Sequence, residues 1–165
     1  VGVDKTTVFN WEAGTTSPNL RACPGVIKFL GYDPRPQGQT IGEQLRHYRV
    51  GLGLSWAEAA HAMGVDPATV SKWERQPDSR QNHVSIPTIV RFVGFNPMPA
   101  PMSTGQFIRQ ARFLVGLKQS DLAALLDVSG QTISLWELEQ KFPAQNELEF
   151  IRQMGAKVGL DKRRA

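Results

Sequence analysis

Gly64-Val65-Asp66-Pro67-Ala68-Thr69-Val70-Ser71-Lys72-Trp73-Glu74 decides the fold, because the same pattern stands twice more in the chain, as GVDKTTVFNWE at Gly2 to Glu12 and DVSGQTISLWE at Asp127 to Glu137. Each copy opens with a short polar residue suited to cap a helix, namely Asp4, Asp66 and Ser129, and Pro67 occupies a first helical position where its missing N–H costs nothing. A helix is expected to begin at all three places. Inside each one a β-branched residue (Val8, Val70, Ile133) precedes a Trp (Trp11, Trp73, Trp136) by three positions. That spacing puts the pair on one face, read as buried, and turns the polar first turn outward.

Outward from this stretch, the repeat continues. Pro24, Gly31 and Pro34 recur 63 residues later as Pro87, Gly94 and Pro97, a period that is a domain and not a solenoid turn. Repeat two begins with a capping box, Thr40 with Glu43, and its first helix runs to about Leu52. Ser55 with Glu58 opens a second helix to about Met63, and Gly64 ends it with a left-handed residue. The third helix runs from Pro67 to Arg75, and a last one from Ile86 to Val93. In repeat three, Ser103 and Gln106 form the box, and helices follow at Gln106 to Val115, Ser120 to Leu126, Gly130 to Leu138 and Glu147 to Met154. No strand-like alternation breaks the pattern.

The domains expected are 1–34, a truncated copy lacking counterparts of Thr40 to Met63; 40–97; and 103–156. Pro-rich linkers at 35–39 and 98–102 separate them as semi-rigid spacers, and 157–165 is a basic tail with Lys157, Lys162, Arg163 and Arg164. Truncation leaves Val8, Trp11, Ile27, Phe29 and Leu30 in need of cover.

Composition narrows the class. Apolar residues make up 41% of 165, the net charge is +4, and there is one cysteine, Cys23. A disulfide framework is excluded, the lone thiol reads as a small buried hydrophobe, and a reducing cytoplasm is the expected location. No apolar run approaches the roughly 18 residues of a membrane span, and no signal peptide is visible. The positive charge suits a polyanionic partner. Neither CxxC, HExxH, GxSxG nor a phosphate-cradling Gly-rich loop with Lys is present. His47, His61 and His83 show no ligand spacing and are read as surface residues. Neither catalytic residues, nor a metal, nor a cofactor, nor a small-molecule substrate is expected.

Helix, helix, tight turn, helix, with Gly-Val-Asp before the third helix and Trp-Glu at its end, resembles the lambda-repressor/Cro type (XRE family) of helix-turn-helix DNA-binding domain, here as tandem repeats. The resemblance implies an all-α fold of five-helix domains, the first truncated, whose third helix enters the major groove of double-stranded DNA. It places base or backbone contacts at Lys5, Thr6, Thr7 and Asn10 in repeat one, at Ala68, Thr69, Ser71 and Lys72 in repeat two, and at Gln131, Thr132 and Ser134 in repeat three. Asn10 and Gln131 can pair with adenine, Lys5 with guanine, and Lys72 with guanine or phosphate. Gln119 stands where the family grips phosphate, and Trp56 replaces it in repeat two. Arg49 with Glu74, and Arg112 with Glu137, are implied structural ion pairs.

The function implied is that of a bacterial or phage transcriptional regulator, with a homodimer through the incomplete first repeat as a further expectation. The opposing reading is a degenerate helix-turn-helix module for protein interaction or an antitoxin-like role without base readout. Pro67, Ala68, Trp56 and Leu135 favour it.

Overall fold

The computed structural model describes residues 2–76 and 78–157; Val1 and most of the basic tail, with Lys162, Arg163 and Arg164, lie outside the described residues. Ten α-helices and no strand occur among the described residues. They are α1 (Lys5–Glu12), α2 (Cys23–Leu30), α3 (Ile41–Gly51), α4 (Trp56–Met63), α5 (Pro67–Arg75), α6 (Ser85–Val93), α7 (Thr104–Val115), α8 (Gln119–Leu125), α9 (Gly130–Glu137) and α10 (Gln145–Lys157). The fold is all-α. No helix among the described residues is long and apolar enough to cross a membrane.

The caps explain the boundaries. Thr40 and Glu43 exchange hydrogen bonds across the start of α3, and Ser55 and Glu58 do so at α4, each box satisfying two otherwise orphaned amides. At α7 the box is displaced: Ser103 accepts from the Gln106 N–H, but the Gln106 side chain accepts from Met102 instead of Ser103. Gly64 closes α4 at φ +67. Its counterpart 63 residues on is Asp127, held at φ +53, a conformation Asp tolerates better than most side chains.

The helices fall into two compact units, Val1–Arg75 and Gln76–Ala165. In the first, α5 packs on α3 and α4, burying Ile41, Leu45, Ala59, Ala60, Val70 and Trp73. In the second, α7, α8, α9 and α10 close over Ile108, Leu122, Ile133, Trp136 and Ile151.

The inward rib holds for Val70 with Trp73 and for Ile133 with Trp136, but not for the first copy, where Val8 and Trp11 are half-buried and α1 buries no residue. Ile27 is half-buried too, while Phe29 is 79% exposed.

In the first unit α2 packs on α3, and in the second α6 packs on α7. A close fit of proline to glycine accounts for this. A Cβ built on Gly53 would lie 2.9 Å from Pro24 Cγ, and one on Gly116 would lie 3.4 Å from Pro87 Cγ. Arg21 reinforces the first junction by donating to the Gly53 carbonyl at 3.1 Å and to Glu58 at 2.8 Å. The Glu58 carboxyl is drawn down to about 2, first by the Ser55 hydroxyl and then by Arg21.

His47 corrects the surface placement expected for all three histidines: it is buried, with Nε2 3.0 Å from Asp33 Oδ2. Arg35 donates to Asp33 and to the His47 carbonyl at 2.9 Å, so the stretch entering the first Pro-rich segment is clamped to α3. His61 is exposed and His83 half-buried. Cys23 is half-buried, its thiol donating to the Asn19 carbonyl.

Candidate nucleic-acid interface

Three helices, α1, α5 and α9, begin on a side-chain cap, and each leaves part of its first turn facing solvent. Asp4 accepts from the Thr7 N–H and the Thr7 hydroxyl, both at 2.9 Å, and these bonds, the backbone one foremost, hold its carboxyl below the usual range. Asp66 accepts from the Ala68 N–H at 2.8 Å. Ser129 accepts from the Thr132 N–H at 3.1 Å and shares a hydroxyl contact with Thr132.

Around these caps, Lys5, Thr6, Ala68, Lys72 and Gln131 are exposed. Thr7, Asn10, Thr69, Thr132 and Ser134 are half-buried. Thr7 and Thr132 already use their hydroxyls in the caps, which limits what they offer a base edge.

Two expected contacts depart from the pattern. Ser71 is 6% exposed, and its hydroxyl accepts from Arg75 at 2.7 Å while its carbonyl accepts from the same guanidinium; a side chain so enclosed presents nothing to a groove. Gln119 is half-buried and donates one of its two amide N–H groups to Glu137 Oε2 at 2.9 Å, so that proton is held inside the fold.

Behind the exposed turns of α5 and α9 stands a buried charge cluster. Arg49 meets Glu74 through two prongs, the Nη2 prong at 2.8 Å, and its Nη1 donates to the Leu54 carbonyl. Arg112 meets Glu137 likewise, with Nη2 at 3.0 Å and Nη1 on the Leu117 carbonyl. All four side chains are at most 6% exposed. Charges so deep are tolerated only when geometry and further hydrogen bonds compensate their lost hydration. The carboxylates obtain a third donor in different ways: Trp56 supplies its indole N–H to Glu74 at 2.8 Å, and Gln119 its amide to Glu137. Arg49 also lies 5.5 Å from the Trp56 ring centre.

The mechanical consequence is that the end of the presenting helix is fixed to the other two. Gly42 and Gly105 complete the seat: a Cβ on Gly42 would lie 2.6 Å from the Trp73 carbonyl oxygen, and one on Gly105 would lie 2.7 Å from that of Glu137. Sequence reasoning missed both glycines and the Trp56–Glu74 bond. The available signal was position, since Trp56 precedes Glu74 by the same 18 residues that separate Gln119 from Glu137. Among the described residues no group of His, Cys, Asp and Glu is placed to hold a metal ion.

No curated protein and no solved structure matches the chain. A family model described as helix-turn-helix matches residues 45–91, a span that runs from within α3 through α4 and α5 into α6. Residues 45–91 are therefore similar to a helix-turn-helix domain, and α4, the turn at Gly64 and α5 lie within the matched span.

Proposed function

We propose that the chain is a sequence-specific double-stranded-DNA-binding protein, a cytoplasmic bacterial or phage transcriptional regulator of the lambda-repressor/Cro type that repeats its helix-turn-helix domain in tandem and performs no catalysis. The observation that carries this reading is the helix-turn-helix match over α3 to α6 together with an exposed cap and first turn on α5. Exposed Lys5, Lys72 and Gln131 on α1, α5 and α9 supply the residue types that read bases or hold phosphate.

Tandem organisation is supported by equivalent contacts 63 residues apart: Arg49–Glu74 with Arg112–Glu137, Gly42 with Gly105, and Pro24–Gly53 with Pro87–Gly116. Copies joined head to tail favour direct repeats in the operator over palindromes, and once one domain is bound the next meets a raised effective concentration of its site. The exposed Phe9 and Phe29 of the first repeat are consistent with a homodimer formed there.

Titration of labelled duplexes at several salt concentrations tests this reading. Specific binding with a steep negative salt slope is expected. Absence of binding even at low salt would instead favour a protein-interaction or antitoxin-like module, to which Pro67, Ala68 and the half-exposed Trp56 on the second repeat point.

A further inference from the structure

The first unit holds an open cavity of about 570 Å³ between the Pro-rich segment 35–39 and one face of α3. Pro36 and Gly38 wall it on the segment side. On the other side stand Glu43, Arg46 and Val50, spaced to share a helix face. Gly38 lets the segment come this close: a Cβ there would lie 2.6 Å from the Gln44 backbone nitrogen and collide with Glu43. Arg35 fixes the start of the wall by donating to Asp33 and to the His47 carbonyl. A recess of this size, with apolar walls and few charged groups, has the character of a small-molecule site.

Two charged side chains reach it from α3. Glu43 is committed to the helix cap, where its Oε2 accepts from the Gln39 N–H at 2.9 Å and from the Thr40 N–H at 3.1 Å. Arg46 is exposed and has neither an ion pair, nor a hydrogen bond, nor a ring contact among the described residues.

The second unit treats the equivalent guanidinium differently. Arg109, 63 residues after Arg46, lies 5.3 Å from the centre of the Phe113 ring, and Phe113 stands where the first unit has Val50. The chain therefore gives Arg109 an aromatic partner and gives Arg46 only an aliphatic one. Pro101 replaces Gly38, which puts a Cβ at the position where the first unit has no room for one.

We propose that the cavity of the first unit binds a small planar aromatic carboxylate. Its ring lies against Pro36 and Val50 and takes beside Arg46 the place that Phe113 holds beside Arg109. Its carboxylate supplies the counter-charge that Arg46 lacks, through a charge-assisted hydrogen bond. Such a ligand touches the spacer and α3 together, and so ties the segment between repeats one and two to the helix that follows it. Nothing in this site depends on DNA binding by the chain.

The probe is naphthoate, titrated into the full chain and followed by amide NMR. Saturable shifts are expected at Gln37, Gly38, Gln39 and Val50. R46Q should weaken binding by about tenfold or more, the effect of losing a charge-assisted hydrogen bond. V50F, which gives α3 the ring that α7 carries, should abolish binding by occupying the ring's place. R109Q, in the second unit, should leave the affinity unchanged. Naphthamide, of the same shape without the charge, and cyclohexanecarboxylate, charged without the flat ring, should each bind more weakly than naphthoate. Thermal melts establish that the variants fold, and if V50F melts early, R46Q and the two analogues decide. Absence of shifts at the four amides, or unchanged affinity in R46Q or in folded V50F, would overturn the proposal. Naphthamide or cyclohexanecarboxylate binding as tightly as naphthoate would overturn the ligand class, and an equal loss in R109Q would overturn the location in the first unit.

Discussion

Substituting Arg112 by Met removes a charge from a cluster that the second unit cannot rehydrate. Arg112 and Glu137 are each 6% exposed, and Arg112 makes two bonds to the carboxylate and a third to the Leu117 carbonyl. In Arg112→Met the Glu137 carboxylate keeps only the Gln119 amide, and the Leu117 carbonyl loses its side-chain donor. Removing one partner of a buried pair costs about 3–5 kcal/mol, because the surviving charge stays desolvated. With m near 2 kcal/mol/M, the urea midpoint of the second unit should fall by about 2 M. The indole NMR signal of Trp136 reports that unit, while the Trp73 signal reports the first and serves as an internal control. Arg112→Met/Glu137→Leu should recover most of the loss, since apolar replacement of both partners is close to neutral. A midpoint shift below about 0.5 M for the single substitution, or no recovery in the double, would refute the reasoning.

Gly105→Ala opposes a helix-propensity gain of about 1 kcal/mol to a Cβ 2.7 Å from the Glu137 carbonyl oxygen and 2.9 Å from that of Trp136. Overpacking should win with a net loss of about 1–3 kcal/mol, and a raised Tm by calorimetry would show that the two helices separate freely. The Asp33 carboxyl is held below its usual range first by the hydrogen bond from Arg35. A folded pKa depressed in this way contributes stability above the unfolded value near 3.9 and loses it as the pH falls through the folded one. Asp33→Asn should therefore be less stable at neutral pH and lose less stability below about pH 4, and an acid limb identical to wild type would contradict this. Glu58 adds a similar loss between its ordinary 4.5 and about 2. On DNA, Gln131→Ala should relax preference at one base position in a selection from random duplexes, whereas Lys72→Ala should weaken all sequences alike and flatten the salt slope by about 1; uniform loss for Gln131→Ala would count against base readout.

The residues alone carried the helices and their order. Caps such as Thr40 with Glu43, stops such as Gly64 and the Val70–Trp73 spacing act within a few positions of themselves, so the all-α class and the start of α5 at Pro67 are visible without coordinates. The ends of α7 and α10 were less legible. The expected α7 begins at Gln106 and the observed one at Thr104, because Ser103 caps it there while the partner half of the box goes to Met102.

Partner choice is another matter, since it depends on which surfaces meet after the chain has turned. Nothing local distinguishes His47, buried against Asp33, from exposed His61. Nothing local says that the Ser71 hydroxyl belongs to Arg75 while Ser134 keeps its own, or that Trp56 and Gln119, so different in chemistry, both complete a buried carboxylate. That α2 packs on α3 and α6 on α7 follows from the fit of Pro24 to Gly53 and of Pro87 to Gly116, contacts between residues about 29 apart. Periodicity and capping are written along the chain, whereas burial and hydrogen-bond pairing are settled only when distant segments compete for the same space.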